Sequence, residues 1–327
     1  LVIGDAEGSM IIEEVIEETS GYLNQIAKRS YNSNASLLRC QWYPWDSGII
    51  ALTYHDKLKL IDTNNLAMVE SFAFSPSKLF WSDWNAGRPN LIAVGTSPST
   101  IRFVDVRSGD ALQSITVPCL TGHKAHSVTR VLWTPLDDEC IIVGDSAGYI
   151  HVFDIRAPRK SVQSVNSEKS LCEAVVCLTA TKDKMNFITC HGLNYRLNMW
   201  TLKNGKLINA NIHYPCLYSR FKTTSKSAVG SAFLKCQTYV TDDYIFNPTP
   251  DGCGEIGIYN LHTGDHLGIL TPSTYNPFNT YCVNGLNSRM ILYSGSRRCL
   301  RTWSVKMRSD HEENLKKFYE DNWSDSD

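Results

Sequence analysis

The feature that most constrains this chain is a unit of two short apolar runs around a glycine-bearing turn, most complete from Cys140 to Arg156. Ile141-Ile142-Val143 leads into Gly144-Asp145-Ser146-Ala147-Gly148, and the alternating run Tyr149 to Phe153 closes on Asp154-Ile155-Arg156. Two β-rich runs split by a Gly/Asp/Ser turn signal a hairpin. An apolar-polar alternation from Val128 to Pro135 precedes it, and Lys160 to Val165 supplies an outer strand. Four short antiparallel strands in about forty residues make one blade of a β-propeller.

The unit recurs. Glu13, Ile61, Val104, Phe153, Trp200, Tyr259 and Trp303 mark the end of the third strand in successive copies. They lie 43 to 49 residues apart, except for 59 between Trp200 and Tyr259. Seven copies predict an all-β, seven-bladed WD-repeat β-propeller over residues 1–305, each blade burying its faces against two neighbours. A large β-sandwich would not show this period. The long gap predicts an insertion, placed at Tyr214 to Ser227, with the inner strand of blade six at Ser231 to Tyr239. Blade one shows no inner strand and blade seven no outer one, so a closing strand and a preceding segment are expected upstream of Leu1. Ser309 to Asp327 is charged and lacks a strand pattern. Residues 306–327 therefore read as an acidic tail, with a short helix at Glu312 to Tyr319 and then a disordered end.

Composition narrows the function classes. The net charge of −1 gives no global pull toward nucleic acid or anionic membrane, and no direct sequence-specific nucleic-acid binding is expected. No apolar run approaches the roughly 18 residues of a membrane span. The eleven cysteines are odd in number, scattered, and mostly set in apolar strand runs, which points to a reducing compartment. No cofactor is expected, because each candidate for chemistry is weak. Cys190 and His191 are strand neighbours and point to opposite faces. His123 and His126 are three apart without zinc spacing around them. Gly252-Cys253-Gly254 lacks the Lys-Ser/Thr and helix of a phosphate loop. His123 follows Gly122 just before an inner strand, where WD repeats place a structural histidine. Trp200 and Trp303 read as structural tryptophans at strand ends. Arg297-Arg298 and Arg301 form a local basic cluster near blade seven.

Four stretches carry a more specific signal. They are Gln41-Trp42-Tyr43-Pro44-Trp45-Asp46-Ser47-Gly48, Leu91 to Thr96 with Val104 to Gly109, Ile291 to Arg297, and the tail Phe318 to Asp327. In this order they resemble the Cockayne syndrome group A family of WD-repeat proteins. The resemblance implies a non-catalytic substrate-recognition subunit of a cullin-4 RING ubiquitin ligase, acting in the nucleus in transcription-coupled nucleotide excision repair. In such receptors an Arg two residues after a strand-end Asp meets the ligase's damaged-DNA-binding adaptor. Asp154 and Arg156 match that pattern, and Asp105 and Arg107 are a second copy one blade earlier. Trp42, Tyr43, Arg297 and Trp323 are the candidates for contact with repair proteins at stalled RNA polymerase II. Two departures stand out: Phe153 replaces the usual Trp, and Ala147-Gly148 occupy positions where an Asp is common. Read from the repeat alone, a WD-repeat scaffold of another nuclear complex and a propeller hydrolase both remain open.

Overall fold

The computed structural model describes residues 1–304, apart from 5–6, 18–21, 32–34, 121–125, 158–160, 167–172, 193–194, 217–235, 250–253, 273–279, 287–290 and 297–299. Its strands form seven separate antiparallel sheets, one per predicted repeat. The first holds β1 (Val2–Gly4), β2 (Ser9–Glu17) and β3 (Tyr22–Ser30). The second holds β4 (Arg39–Trp42), β5 (Ile49–Thr53), β6 (Lys57–Asp62) and β7 (Met68–Ala73). The third runs β8 (Lys78–Trp84), β9 (Leu91–Ser97), β10 (Thr100–Asp105) and β11 (Asp110–Thr116). The fourth runs β12 (Val128–Thr134), β13 (Asp137–Asp145), β14 (Tyr149–Asp154) and β15 (Gln163–Asn166). The fifth has β16 (Val175–Ala180), β17 (Asn186–His191), β18 (Arg196–Lys203) and β19 (Lys206–Asn209). The sixth has β20 (Tyr239–Val240), β21 (Tyr244–Pro248), β22 (Ile256–Asn260) and β23 (His266–Leu270). The seventh has β24 (Thr280–Leu286), β25 (Ile291–Ser296) and β26 (Leu300–Ser304). The molecule is a seven-bladed β-propeller.

Burial follows each strand's place in its blade. β14 is buried along its whole middle, because neighbouring blades cover both faces of a second or third strand. The outermost β7 is largely open, and β23 alternates half-buried and exposed residues. The hydrophobic core is correspondingly divided into clusters between blades. Leu58, Leu60 and Phe72 of the second blade meet Leu79, Trp84 and Ile92 of the third. Phe103 of the third meets Trp133 of the fourth, with ring centroids 5.7 Å apart. Each seam is a small hydrophobic core, so the fold extends by stacking rather than by enlarging one centre. At the ring's closure, Glu13 of the first blade lies close enough to Tyr293 of the seventh to add to the upward shift that burial imposes on its phenol.

Polar ties also join the inner strands. Asp83 in β8 accepts hydrogen bonds from Arg39 Nη2 and Gln41 Nε2, both at 3.1 Å, and from the backbone N–H of Trp133 at 2.9 Å. The Trp133 indole N–H donates to the Asp83 carbonyl. One buried carboxylate thereby links three blades, and its burial raises its pKa despite the Arg39 charge.

Three boundaries differ from the sequence reading. The outer strand of the fourth blade is Gln163–Asn166, shifted past the expected Lys160 to Val165, in register with Tyr149 to Val152. Of the expected inner strand of the sixth blade, 231–235 lie outside the described residues, and the described part forms a strand only at Tyr239–Val240. Before it, Gln237 makes an isolated parallel bridge to Cys282 of the next blade, and the Cys236 carbonyl accepts from Arg130, so the backbone there serves other blades. Of the expected insertion, 217–227 lie outside the described residues, while its first residue, Tyr214, belongs to the core. It is buried between blades five and six, and its hydroxyl donates to the Leu261 carbonyl at 2.6 Å. The expected tail, 306–327, lies outside the described residues.

Candidate functional site

Strand direction alternates within each blade, so one face of the ring carries all the loops from first to second strands and all the turns from third to fourth. The paired Asp-x-Arg turns lie on this face, at the ends of β10 and β14. At Asp154 a carboxylate oxygen accepts the backbone N–H of Arg156 at 2.9 Å, closing an Asx turn where the strand stops. The same carboxylate takes the Arg156 side chain: Nε donates at 2.9 Å and Nη2 at 2.6 Å. This two-pronged contact holds Asp154 below the usual carboxylate range and raises the Arg156 guanidinium. The Arg156 side chain remains 64 % exposed. Its contacts with Asp154 use Nε and one Nη2 hydrogen of a five-donor group, so the guanidinium plane is fixed with donors left to present.

The neighbouring blade repeats the design more loosely. Asp105 accepts the backbone N–H of Arg107 at 2.9 Å, while the Arg107 side chain reaches its partner only at 3.6 Å and is 81 % exposed. Asn90 braces the other Asp105 oxygen at 3.2 Å. Burial alone would raise the Asp105 pKa, but the Arg107 and Asn90 hydrogen bonds outweigh it and bring the carboxyl below its ordinary value. The turn itself is a recurring part of the repeat. Asp62 accepts Asn64 N–H, and Asn260 accepts His262 N–H, at the same place in blades two and six. Only blades three and four, among these, add an arginine to it.

Between the two arginines, Arg88 ties the blades together. It pairs with Asp138 at 3.4 Å and with Glu139, both on the next blade. Asn85 caps the same loop by accepting the N–H groups of Gly87 and Arg88. The two turns thus stand on adjacent, cross-braced blades.

The other sequence candidates are placed as follows. Trp42 packs with the core between blades one and two, and Tyr43 packs edge-on against Trp84 with centroids 5.3 Å apart. Both are half-buried. The neighbouring Trp45 is 69 % exposed, its indole N–H donating to the Ala86 carbonyl at 3.1 Å. It lies on the same face as Arg107 and Arg156. The Trp200 indole N–H donates to Thr189 Oγ1 at 2.9 Å, and that of Trp303 to Ser294 Oγ at 2.8 Å. His123, Arg297 and Trp323 lie outside the described residues.

Sequence reasoning missed two polar clusters. In blade four, His151 Nδ1 meets Ser164 Oγ at 2.8 Å and its Nε2 meets Asp145 Oδ2 at 3.2 Å. His151 is fully buried inside the blade, with Ser164 directly across the strand pair. The histidine three residues after Gly148 was the available signal. The second cluster is Arg39, Trp81 and Arg130 on consecutive inner strands. Nothing local in the sequence marks it, because its members are 42 and 49 residues apart. Among the described residues no group of three or more His, Cys, Asp or Glu side chains is placed to hold a metal, and no helix is long and apolar enough to cross a membrane.

No protein-family model matches the chain, and no curated protein sequence matches it. Among solved structures, the chain is similar to the β-propeller domain of Cps50 (Swd1) from Myceliophteria thermophila, with a TM-score of 0.72 at 13 % identity. The match covers 93 % of this chain and 92 % of that one. At this identity the similarity concerns the fold.

Proposed function

We propose that this propeller is a non-catalytic substrate-recognition subunit of a cullin-4 RING ubiquitin ligase, working in the nucleus in transcription-coupled nucleotide excision repair. The observation that supports the reading is the pair of arginines, Arg107 and Arg156, each set by an Asp-closed turn on adjacent blades of one face. A long flexible side chain loses about 2 kcal/mol of rotamer freedom when a partner immobilises it. Asp154 has already restricted that freedom for Arg156, so docking starts from an ordered donor array.

In this reading the face of Asp105, Arg107, Asp154 and Arg156 docks on the damaged-DNA-binding adaptor, and the ring presents repair proteins from stalled RNA polymerase II. The chain performs no bond chemistry. Its contribution is proximity, raising the local concentration of a target lysine beside the charged conjugating enzyme. The test is affinity purification of the tagged chain from nuclei, followed by identification of the proteins bound. Recovery of the adaptor and the cullin supports the reading. Their absence, with other nuclear proteins bound in stoichiometric amount, overturns it in favour of a scaffold in a different complex.

A further inference from the structure

On the opposite face, the connection from blade three to blade four holds a thiol and an imidazole in direct contact. Cys119 Sγ lies 2.7 Å from His126 Nε2. The residues are unlike in exposure: Cys119 is open to solvent, and His126 is only 6 % exposed. Their meeting is enforced by one residue of the β9–β10 turn. The Ser99 carbonyl accepts the Val117 N–H at 2.8 Å, and the Ser99 N–H donates to the His126 carbonyl at 3.0 Å. Both ends of the connection are thus pinned to the same point. Ser127, next to His126, is held in turn by Ser146 of blade four through its N–H and its carbonyl. The backbone that carries the imidazole is fixed from the protein side, the residue itself is buried, and the sulfur reaches the ring from the solvent side.

A nucleophile and a base within hydrogen-bond reach, with the base held in place, are the requirements for an activated thiol. Burial sets several of the other described cysteines apart from Cys119. Cys140, Cys177, Cys190 and Cys236 are buried, and burial pushes Cys140 up to about 11 and the half-buried Cys40 up to about 12, away from the reactive thiolate. We propose that Cys119 is a thiol-modification site that takes a low-molecular-weight disulfide of the glutathione type, with His126 as its general base.

The exchange balances without any further reactant. As the Cys119 proton passes to His126 Nε2, the sulfur attacks one sulfur of the disulfide. The new Sγ–S bond forms as the old S–S bond breaks, and the second glutathione leaves as a thiolate. His126 returns the proton to it, giving a mixed disulfide on Cys119 and one free small thiol. Because the site is on the face away from Arg107 and Arg156, the adduct marks that other face.

The experiment exposes the full chain to oxidised glutathione at pH 7 and maps the modified cysteines by peptide mass spectrometry over time. Cys119 in the folded protein should react at least about tenfold faster than the same residue in the denaturant-unfolded protein, since an unassisted thiol is only a few per cent thiolate at this pH. Cys119 reacting no faster when folded overturns the proposal. His126→Gln should bring the folded rate down toward the unfolded one, with the melting temperature as control, and an unchanged rate in a folded variant likewise overturns it. If His126→Gln does not fold, the folded-to-unfolded comparison on the wild type decides alone.

Discussion

The guanidinium carbon of Arg130 sits 4.2 Å from the centroid of the Trp81 ring, in a site where the arginine has no solvent exposure at all. Arg39 approaches the same ring at 4.3 Å. Desolvation lowers the Arg130 pKa to about 10, still charged at neutral pH. The charge meets the Trp81 ring and the carbonyls of Thr129 and Cys236, at 2.7 and 3.3 Å.

This arrangement makes Arg130 costly to truncate and cheaper to replace. Arg130→Ala empties a packed site and leaves two buried carbonyls short of a donor, an expected loss of about 3 kcal/mol. Arg130→Met keeps most of the volume and removes the desolvated charge, so it should lose clearly less. Urea unfolding of both variants checks the order. An alanine variant within about 0.5 kcal/mol of wild type would show that the stack contributes nothing.

His191 supplies a pH dependence. Burial lowers its pKa from 6.5 to about 4, partly offset by a hydrogen bond with the Glu173 backbone, and its Nε2 meets Thr189 Oγ1 at 2.9 Å. Above pH 6.5 the ring is neutral in both folded and unfolded chains, and its full contribution is present. Between 6.5 and about 4 the unfolded chain takes up the proton and the folded one resists, so stability falls with pH, by up to about 3 kcal/mol. Below about 4 the effect levels off. Denaturation midpoints between pH 7.5 and 4.5 should show this slope, and His191→Gln should flatten it. Parallel slopes in the two proteins would assign the acid sensitivity to other groups.

The ring was legible in the sequence because a blade is a local object. Turn, alternation and closing Asp all fall within one repeat, and seven repeats reinforce one another. The Asp-x-Arg turns were legible for the same reason: Asp154 acts on Arg156, two residues away. What joins one blade to another was not. Asp83 holds Arg39 and Trp133, each more than forty residues distant, and the short β20 follows from backbone committed to Arg130 and to the seventh blade. Nothing local in the sequence shows that the next blade's Trp84 half-buries Tyr43 while Trp45, two residues on, is exposed. Period-2 alternation gives the face of a strand but not which neighbour covers a loop.

Two glycines separate backbone strain from packing. Gly109 (φ +75°) and Gly148 (φ +87°) both occupy the left-handed region, where an added Cβ costs about 1–2 kcal/mol. Around Gly109 nothing lies within 4 Å of that Cβ, whereas at Gly148 it would sit 2.5 Å from the Glu173 carbonyl oxygen of the next blade. Gly109→Ala should therefore show the conformational cost alone, and Gly148→Ala should lose measurably more, because backbone must move. Thermal unfolding of the pair decides. Equal losses would mean that the seam between blades four and five yields without resistance.

The last prediction concerns the division of labour between Asp154 and Arg156. If the guanidinium is the contact and the carboxylate its holder, the two truncations should differ in kind. Arg156→Ala removes donors that project from the face and frees an Asx turn that still has its backbone bond. Adaptor affinity should fall at least about thirtyfold, as for other arginine hot spots, with the melting temperature unchanged. Asp154→Ala leaves the arginine in place but unlocks its plane and removes the acceptor for the Arg156 backbone N–H. It should lower the melting temperature slightly and weaken binding by a smaller factor, because donors remain and only their ordering is lost. Arg107→Ala, whose side chain is held only at 3.6 Å, should be the weaker of the two arginine truncations. Calorimetric titration of purified adaptor into each variant measures all three. Wild-type affinity for Arg156→Ala would remove the turn from the interface and with it the residue-level support for a ligase receptor. Equal losses for Asp154→Ala and Arg156→Ala would instead show that pre-ordering of the guanidinium, more than its donors, carries the contact.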